Sequence, residues 1–308
     1  IEKVARYICD PERPTIITTL RDDRIRIEFQ LLAGEAGNEI NKEKKHKEFI
    51  SSIFKNKKYQ IESSYIHRYK GNCANKFRKK NIFIVGDAAH QFPPFAGQGL
   101  SSGLRDALNL CWKIAHVINN QISDNILDTY QVERVEEVKN SINSSTALGK
   151  LIDSLAIAFK KNIPLNDSIP PEAREQAYGK KLLTEELIKN GLFSNLVKDI
   201  NIGKIIPMTH LLSKGKNVSI DKLLDFKFGV ISKGNKKVLL SDNFVNLLEK
   251  INLVFIDINE YSFHNSKLEE LLEIGDIVVR PDKVIYGIST NQITLENLLS
   301  ELNSQLFK

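Results

Sequence analysis

The chain has 308 residues, and 42% of them are hydrophobic, which is typical of a globular protein of about two domains. The 44 Lys and Arg residues against 38 Asp and Glu give a net charge of +6. The basic residues lie in clumps mixed with Glu and without interleaved aromatics, so we interpret them as solvated faces and expect no nucleic-acid partner.

Neither a membrane span nor a leader is predicted. No apolar run approaches the roughly 20 residues that cross a bilayer, and the start carries charges where a signal peptide would be apolar, so we expect a cytoplasmic protein. Cys9, Cys73 and Cys111 are widely separated and form no C-x-x-C pair. We therefore expect reduced thiols and no metal site.

The first 80 residues favour strands around one helix. "PTIITTL" (14–20) and "RIRIEFQLL" (24–32) are β-branched or alternating runs separated by a turn-prone "RDDR", which predicts part of an antiparallel sheet. "KEKKHKEFISSIFK" (42–55) has helical spacing, and "YQIESSYIHRYK" (59–70) returns to strand-like alternation. A βαβ-like region is thus predicted to lead into residues 82–85.

The most informative stretch is "NIFIVGDAAHQFPPFAGQGLSSGLRDALNLCWK" (81–113). An apolar strand ending in Gly86 and Asp87 would place a carboxylate at a sheet edge, where α/β folds bind ligands. Two prolines stiffen the next loop, and Gly97 and Gly99 allow close approach of a ligand to the main chain. A helix beginning near Gly99 would point its unpaired N–H groups at an anionic or electron-rich group.

That helix is predicted to run to about residue 118 and to be amphipathic. Its apolar positions share one face, and its polar positions share another: Leu100, Leu104, Leu108, Cys111 and Ala115, against Arg105, Asn109, Lys113 and His116. A second long helix is predicted over 125–161, followed by a Pro-rich surface linker (162–174). From about residue 205, strand-like and helical segments alternate, which predicts a small separate α/β domain.

The stretch 86–114 resembles the second FAD-binding motif of the single-component flavoprotein aromatic hydroxylases, with G-D-A-A-H, P-P, G-x-G and D-A-x-N-L-x-W-K in order. "YICDPERP…RIRIEFQLLAGE" and "ILDTYQVER" are similar to segments of the 3-(3-hydroxyphenyl)propionate hydroxylase branch. "GDIVVRPDKVIYG" resembles the end of the thioredoxin-like domain of that branch and the phenol hydroxylase branch.

The resemblance implies roles for single residues. It assigns Asp87, after Gly86, to the ribityl chain of FAD and the Pro-rich loop to the flavin face where oxygen reacts. The helix start would meet the pyrimidine edge of the flavin. The loop and helix residues concerned are Pro93, Pro94, Gly97, Gln98, Gly99 and Leu100.

The resemblance also implies the activity and the domains. We expect an FAD-dependent, NAD(P)H-using monooxygenase that hydroxylates a phenolic substrate with O2 through a flavin hydroperoxide. The implied fold is mixed α/β, an incomplete hydroxylase fold with four parts. These are a partial substrate-binding β-sheet (1–74), the C-terminal part of the FAD-binding domain (75–150), a helical linker region (151–204) and a thioredoxin-like domain without C-x-x-C (205–308).

One family feature does not occur in this sequence, the G-x-G-x-x-G loop that holds the FAD pyrophosphate. We therefore interpret the chain as a C-terminal portion of a hydroxylase. It would be a split-enzyme subunit that needs a separately encoded N-terminal half, a decayed remnant or a truncated chain. The alternative function is a non-catalytic fragment, and a homodimer is also compatible with the sequence.

No catalytic residue is predicted. His90 is interpreted as closing the loop by hydrogen bonding rather than transferring protons. Arg24 and Arg26 share one face of a predicted strand and are candidates to bind a substrate carboxylate, with a solvated sheet face as the equal alternative. Trp112 and Cys111 are predicted to lie in the core.

Overall fold

The computed structural model describes residues 5–10, 12–32, 34–35, 43–54, 58–119, 122–164, 188, 190–213, 215–235, 240 and 244–307. The chain divides into two compact units. The first comprises Ile1–Gly71, Phe92–Gly97 and Asn143–Leu183, and the second comprises Asn72–Gln91, Gln98–Ile142 and Thr184–Lys308.

The first unit contains a three-stranded antiparallel sheet in the order β1-β2-β3, formed by Ala5–Ile8, Thr15–Thr19 and Ile25–Phe29. Helix α1 (Glu43–Ile53) places Phe49 against Phe29, with ring centroids 5.0 Å apart. The two predicted strands and the helix are confirmed. The predicted strand over 59–70 is wrong, because the described residues there pair with no strand.

The second unit begins with two small antiparallel pairs. Strand β4 (Asn72–Cys73) pairs with β7 (His90–Gln91), and β5 (Arg78–Lys79) pairs with β6 (Ile82–Phe83). The predicted strand over 82–85 therefore shrinks to two residues in a hairpin, and the βαβ-like arrangement leading into it is wrong for the described residues. A 3₁₀ turn follows at Gly86–Ala88.

Two long helices come next. Helix α2 (Gln98–Ile118) matches the predicted motif helix. Helix α3 (Thr129–Lys161) follows a 3₁₀ segment at Asp124–Asp128, and its residues up to Ile142 belong to the second unit. Most of the predicted linker (162–174) lies outside the described residues.

The C-terminal hundred residues contain a four-stranded sheet, in the order β11 (Val254–Asp257), β10 (Gly229–Ser232), β12 (Ile277–Val279) and β13 (Ile285–Ile288). Strands β10 and β11 are parallel, and the other two pairs are antiparallel. The predicted alternation of strands and helices in this region is confirmed. The elements are β8 (His210–Ser213), β9 (Lys216–Ser219), α4 (Ile220–Leu224), β10 (Gly229–Ser232), α5 (Val245–Lys250), β11 (Val254–Asp257), α6 (Ser266–Ile274), β12 (Ile277–Val279), β13 (Ile285–Ile288) and α7 (Leu295–Leu306).

Strand alternation divides the apolar side chains of this sheet between two cores. Val230 and Val278 pack with Trp112 of α2 and Leu298 of α7. Ile231 and its neighbours on that face pack instead with α4 and α6. Part of the C-terminal sheet therefore packs in one core with α2. Among the described helices, none combines the length and apolar character that crossing a bilayer requires.

Candidate functional site

The eight predicted site residues fall in both units. Gly86 and Asp87 form the 3₁₀ turn, and Gln98, Gly99 and Leu100 form the first turn of α2, all in the second unit. Pro93, Pro94 and Gly97 lie in the first unit.

The Gly86 turn is held against α2. A methyl group on Gly103 of α2 would lie only 3.3 Å from the Cα of Gly86, so two glycines permit this close approach. Gly86 has φ +55°, a left-handed conformation, and its N–H donates to Asp106 Oδ2 at 2.9 Å. Helix α2 thus fixes the backbone at the turn.

Asp106 is fully buried and has two further partners. His90 Nε2 lies 2.6 Å from Oδ2, and Arg134 Nε of α3 donates to Oδ1 at 2.8 Å. Burial opposes ionisation of this carboxyl, but the hydrogen bonds and the Arg134 charge outweigh it and lower its pKa. His90 is itself buried, which agrees with its predicted hydrogen-bonding role.

Next to this fixed backbone, Asp87 is exposed, and its carboxylate makes no hydrogen bond or ion pair with the described residues. The first turn of α2 contains no acidic residue. Leu100 and Leu104 are 78% and 62% exposed. The start of α2 therefore offers positive helix-end potential and apolar surface to a ligand.

In the first unit, the Pro-rich loop is attached to α3. The hydroxyl of Ser145 lies within hydrogen-bonding distance of the carbonyl oxygens of Pro93 (3.0 Å) and Phe95 (2.7 Å). Gly97 has φ +62°, its N–H donates to the Pro94 carbonyl at 3.0 Å, and a methyl group on it would meet nothing within 4 Å. The predicted backbone freedom is thus needed at Gly97, whereas Gly99 is helical.

The predicted faces of α2 are reversed. Leu100, Leu104 and Cys111 are exposed, so the prediction of a core position is wrong for Cys111, whereas Trp112 is buried as predicted. The buried side chains of α2 include polar and charged ones: Ser102, Asp106, Asn109 and Lys113. Burial of such groups requires partners, and α3 and the C-terminal region supply them.

These partners form a second buried cluster. Arg280 donates through Nη1 and Nη2 to the two carboxylate oxygens of Glu133, at 2.9 and 2.7 Å, and through Nε to Asp282 at 3.0 Å. Lys113 Nζ donates to Glu133 at 2.9 Å and to Asn109 Oδ1 at 2.8 Å. Burial lowers the pKa of Lys113. Burial also opposes ionisation of Glu133, but Arg280 and Lys113 outweigh it, so the pKa of Glu133 is well below its usual range.

The two candidate substrate arginines are exposed and paired. Arg24 contacts Glu62 at 2.5 Å, and Arg26 contacts Glu28 at 2.8 Å. Their role with a substrate stays a prediction. In the described part of the chain, no group of His, Cys, Asp and Glu side chains is arranged to hold a metal ion. An open cavity of about 340 Å³, lined by residues between Ile188 and Ile202, contains none of the predicted site residues.

Sequence reasoning missed the residues that hold the turn and the helices together. Asp106, Asn109 and Lys113 are three and four residues apart, so they share one face of the helix. A face that carries such polar and charged residues can indicate a buried network when partners exist elsewhere in the chain. Their charged partners cannot be found by local spacing: Arg134, which binds Asp106, is 28 residues away, and Glu133, which binds Asn109 and Lys113, is 24 and 20 residues away.

Comparison with known proteins gives the ligand class. A family described as "FAD binding domain" matches residues 8–145. The 3-(3-hydroxy-phenyl)propionate/3-hydroxycinnamic acid hydroxylase of Shigella sonnei is 28% identical over 96% of this chain and 58% of its own length. The enzyme of the same name from Escherichia coli K12 is 27% identical over the same proportions. The chain thus spans somewhat more than half the length of these relatives.

Solved flavoenzymes share the fold. The flavin-dependent monooxygenase PieE, in complex with FAD and substrate, superposes with a TM-score of 0.73 at 17% identity over 96% of this chain and 60% of PieE. Aklavinone-11 hydroxylase, with FAD and aklavinone, gives 0.68 at 18% identity over 96% of this chain and 58% of the enzyme. The rebeccamycin biosynthetic enzyme RebC, with reduced flavin, gives 0.69 at 16% identity over 94% and 55%.

These matches extend over nearly the whole chain, and they do not bear out the expected restriction to a C-terminal portion. The FAD-binding match includes the Gly86 turn and the start of α2, where the structure leaves an exposed carboxylate and a helix end. The solved flavoenzymes share the fold, and the structures of PieE and aklavinone-11 hydroxylase contain FAD. Residues 8–145 therefore resemble an FAD-binding domain, and the chain as a whole is similar to the FAD-dependent aromatic hydroxylases of the 3-(3-hydroxyphenyl)propionate hydroxylase branch.

Proposed function

We propose that the chain carries FAD-binding residues of an NAD(P)H-using monooxygenase that hydroxylates a phenolic compound. The observation that carries this proposal is the Gly86–Ala88 turn, which Asp106 holds on α2 while Asp87 stays exposed. The names of the relatives, which are hydroxylases of hydroxyphenyl acids, support the reaction class and the type of substrate.

The described residues fit the flavin end of FAD. Asp87 is available to accept hydrogen bonds from ribityl hydroxyls, and the first turn of α2, from Gln98 to Leu100, presents N–H groups to the electron-rich edge of the flavin ring. For Pro93, Pro94 and Gly97, which lie in the first unit, the proposed contact with the flavin rests on the family resemblance alone. Bound FAD supplies electron transfer and oxygen activation, and the chain's residues bind it, orient it and exclude water.

Substrate and co-substrate are proposed from the family. A phenolic acid would present a carboxylate, and Arg24 and Arg26 are the candidates to bind it once they exchange their partners, the exposed Glu62 and the half-buried Glu28. Exposed ion pairs contribute about 0–1 kcal/mol, so the exchange would cost little at Arg24. NAD(P)H as reductant and a cytoplasmic location stay predictions.

We also propose that residues 205–308 form a thioredoxin-like domain. The support is the element order β10-α5-β11-α6-β12-β13-α7, with a parallel first pair and antiparallel later pairs in one sheet. The cysteines of this chain are at positions 9, 73 and 111, so this domain has no dithiol. The other predicted boundaries, at 74 and 150, stay proposals.

Titration with FAD tests the site. Asp87→Ala should weaken FAD binding by about 1.5–3 kcal/mol, because a charge-assisted hydrogen bond to a ribityl hydroxyl is lost. The dissociation constant is measured from quenching of flavin fluorescence. Glu270→Ala, on the exposed face of α6, is the matched control and should bind FAD as the wild type does. Equal dissociation constants for Asp87→Ala and wild type would rule out the Asp87 role.

The same titration separates the alternative functions. FAD binding with substrate-stimulated NAD(P)H oxidation by the chain alone supports the proposed hydroxylase. Flavin binding only after addition of a polypeptide with the G-x-G-x-x-G unit supports a split-enzyme subunit, because each half then supplies part of the contact area. Binding under neither condition supports a non-catalytic fragment.

A further inference from the structure

Two buried clusters lie side by side on helices α2 and α3. The Asp106 cluster consists of the Gly86 N–H, His90, Asp106 and Arg134. The Glu133 cluster consists of Asn109, Lys113, Glu133, Arg280 and Asp282. Both clusters contain residues of both helices.

On each of the two helices, residues of the two clusters lie close together in sequence. On α3, Glu133 of the Glu133 cluster and Arg134 of the Asp106 cluster are neighbours in sequence. On α2, Asp106 and Asn109 are three residues apart and therefore lie on one face. A shift of either helix that changes one cluster must change the other, because both share the same rigid backbone.

Arg280 is the residue of the Glu133 cluster that comes from the C-terminal region and contacts α3 directly. Its side chain is fully buried, and its guanidinium is bidentate to Glu133 and also donates to Asp282 and to the Leu192 carbonyl. Lysine at this position would keep the charge but could not reproduce the planar fork. The orientation of Glu133, and with it the position of α3 beside α2, therefore depends on the guanidinium geometry.

We propose that Arg280 is a positioning residue for the FAD-binding turn, acting through Glu133 on the α2–α3 pair that holds Gly86. The C-terminal domain thereby contributes to flavin binding without touching the flavin. The inference rests on the proposed function for the identity of the ligand at this turn, but its mechanical part concerns only contacts within this chain.

Hydrogen–deuterium exchange of the full chain tests that mechanical part without any flavin. The Gly86 amide donates to Asp106, so its protection reports how well the turn is held. In Arg280→Lys, exchange over residues 84–90 should be about tenfold faster than in the wild type. The matched control is Leu302→Ala, which removes a fully buried side chain of α7 and should lower the melting temperature without changing exchange at 84–90.

A double-mutant cycle distinguishes coupling from general destabilisation. Asp106→Asn keeps an acceptor but loses the charge, and it should speed exchange at Gly86 by itself. If Arg280 acts through Glu133 on the helix pair that positions Asp106, the effects of Arg280→Lys and Asp106→Asn are non-additive by about threefold or more, whereas Leu302→Ala combines additively with Asp106→Asn. Unchanged exchange in Arg280→Lys, or additive effects, would overturn the proposal.

A flavin titration completes the test. Arg280→Lys should raise the FAD dissociation constant about threefold to tenfold, while Leu302→Ala leaves it unchanged at temperatures where both are folded. Faster exchange in Arg280→Lys with no FAD binding by the wild-type chain would contradict the proposed function while supporting the mechanical coupling. FAD binding that is normal in Arg280→Lys despite faster exchange would refute the positioning role.

Discussion

The Gly86 turn shows how a few residues prepare a binding surface. Asp106 is fully buried, and its three hydrogen bonds and the Arg134 charge keep its carboxylate ionised and fixed in place. Its partner Gly86 is tied down, while Asp87, one residue later, is exposed. Rigid support beneath an available acceptor reduces the ordering cost of ligand binding.

Gly97 gives a prediction that separates backbone strain from contact with the flavin. Valine in a left-handed conformation is strained by about 1–2 kcal/mol, whereas asparagine tolerates it. Gly97→Val should therefore lower stability and FAD affinity, and Gly97→Asn should lower FAD affinity while leaving stability nearly unchanged. Thermal unfolding and FAD titration measure the two effects. Normal FAD binding by Gly97→Asn would show that the flavin does not approach Gly97.

Helix α2 buries polar residues and exposes leucines, the reverse of an ordinary amphipathic helix. Trp112 and Leu110 do enter the core, but Asp106, Asn109 and Lys113 are buried with them because charged partners surround these groups. A helix with such a buried stripe depends on tertiary contacts for its orientation. Replacing a leucine on its exposed face should therefore have little effect.

A matched pair of substitutions on α2 tests this orientation. Leu104→Gln should change the free energy of unfolding by less than about 0.5 kcal/mol, since the side chain is 62% exposed. Leu110→Gln should cost about 2–5 kcal/mol, because it leaves a cavity and an unpaired amide in the core. Urea denaturation monitored by Trp112 fluorescence measures both. A larger cost for Leu104→Gln than for Leu110→Gln would contradict the observed orientation.

Within the second unit, the Glu133 cluster connects the C-terminal sheet to the two long helices. Glu133, Lys113, Arg280 and Asp282 carry two positive and two negative charges in a fully buried setting. Breaking such a cluster by removing one charge typically costs about 3–5 kcal/mol, because the remaining charges stay buried. Stability of this unit should consequently depend on pH.

The lowered pKa of Glu133 sets the direction of that dependence. The ordinary pKa of a Glu side chain is 4.5, so below about pH 5 Glu133 binds a proton in the unfolded chain but stays ionised in the folded chain. The stability that Glu133 contributes is present above that range and is lost as pH falls. Glu133→Gln should be destabilised at pH 7, and its deficit relative to wild type should shrink as pH falls from 5 to 3.

Urea unfolding at several pH values measures this deficit. The change attributable to Glu133 should be at most about 1.4 kcal/mol per pH unit. Glu270→Gln, on the exposed face of α6, is the control and should remain as stable as wild type throughout. A Glu133→Gln deficit that is constant from pH 7 to pH 3 would show that Glu133 is not held charged by Arg280 and Lys113.

The sequence by itself determined the local elements with strong patterns and the resemblance to a family of flavoenzymes. Strands β2 and β3, helices α1 to α3 and the C-terminal strands follow from periodicity and turn residues, and the dense 86–114 motif identified the cofactor class. It misjudged 59–70, because alternation indicates an extended chain but cannot supply a partner strand.

Only the tertiary structure decided which face of α2 is buried and what holds the Gly86 turn. Helical spacing shows which side chains share a face, but whether a polar face is covered depends on charges that lie far away in sequence, such as Arg134 and Arg280. The same holds for β6, which the pattern predicted as a longer strand, because pairing partners and not local propensity set its length.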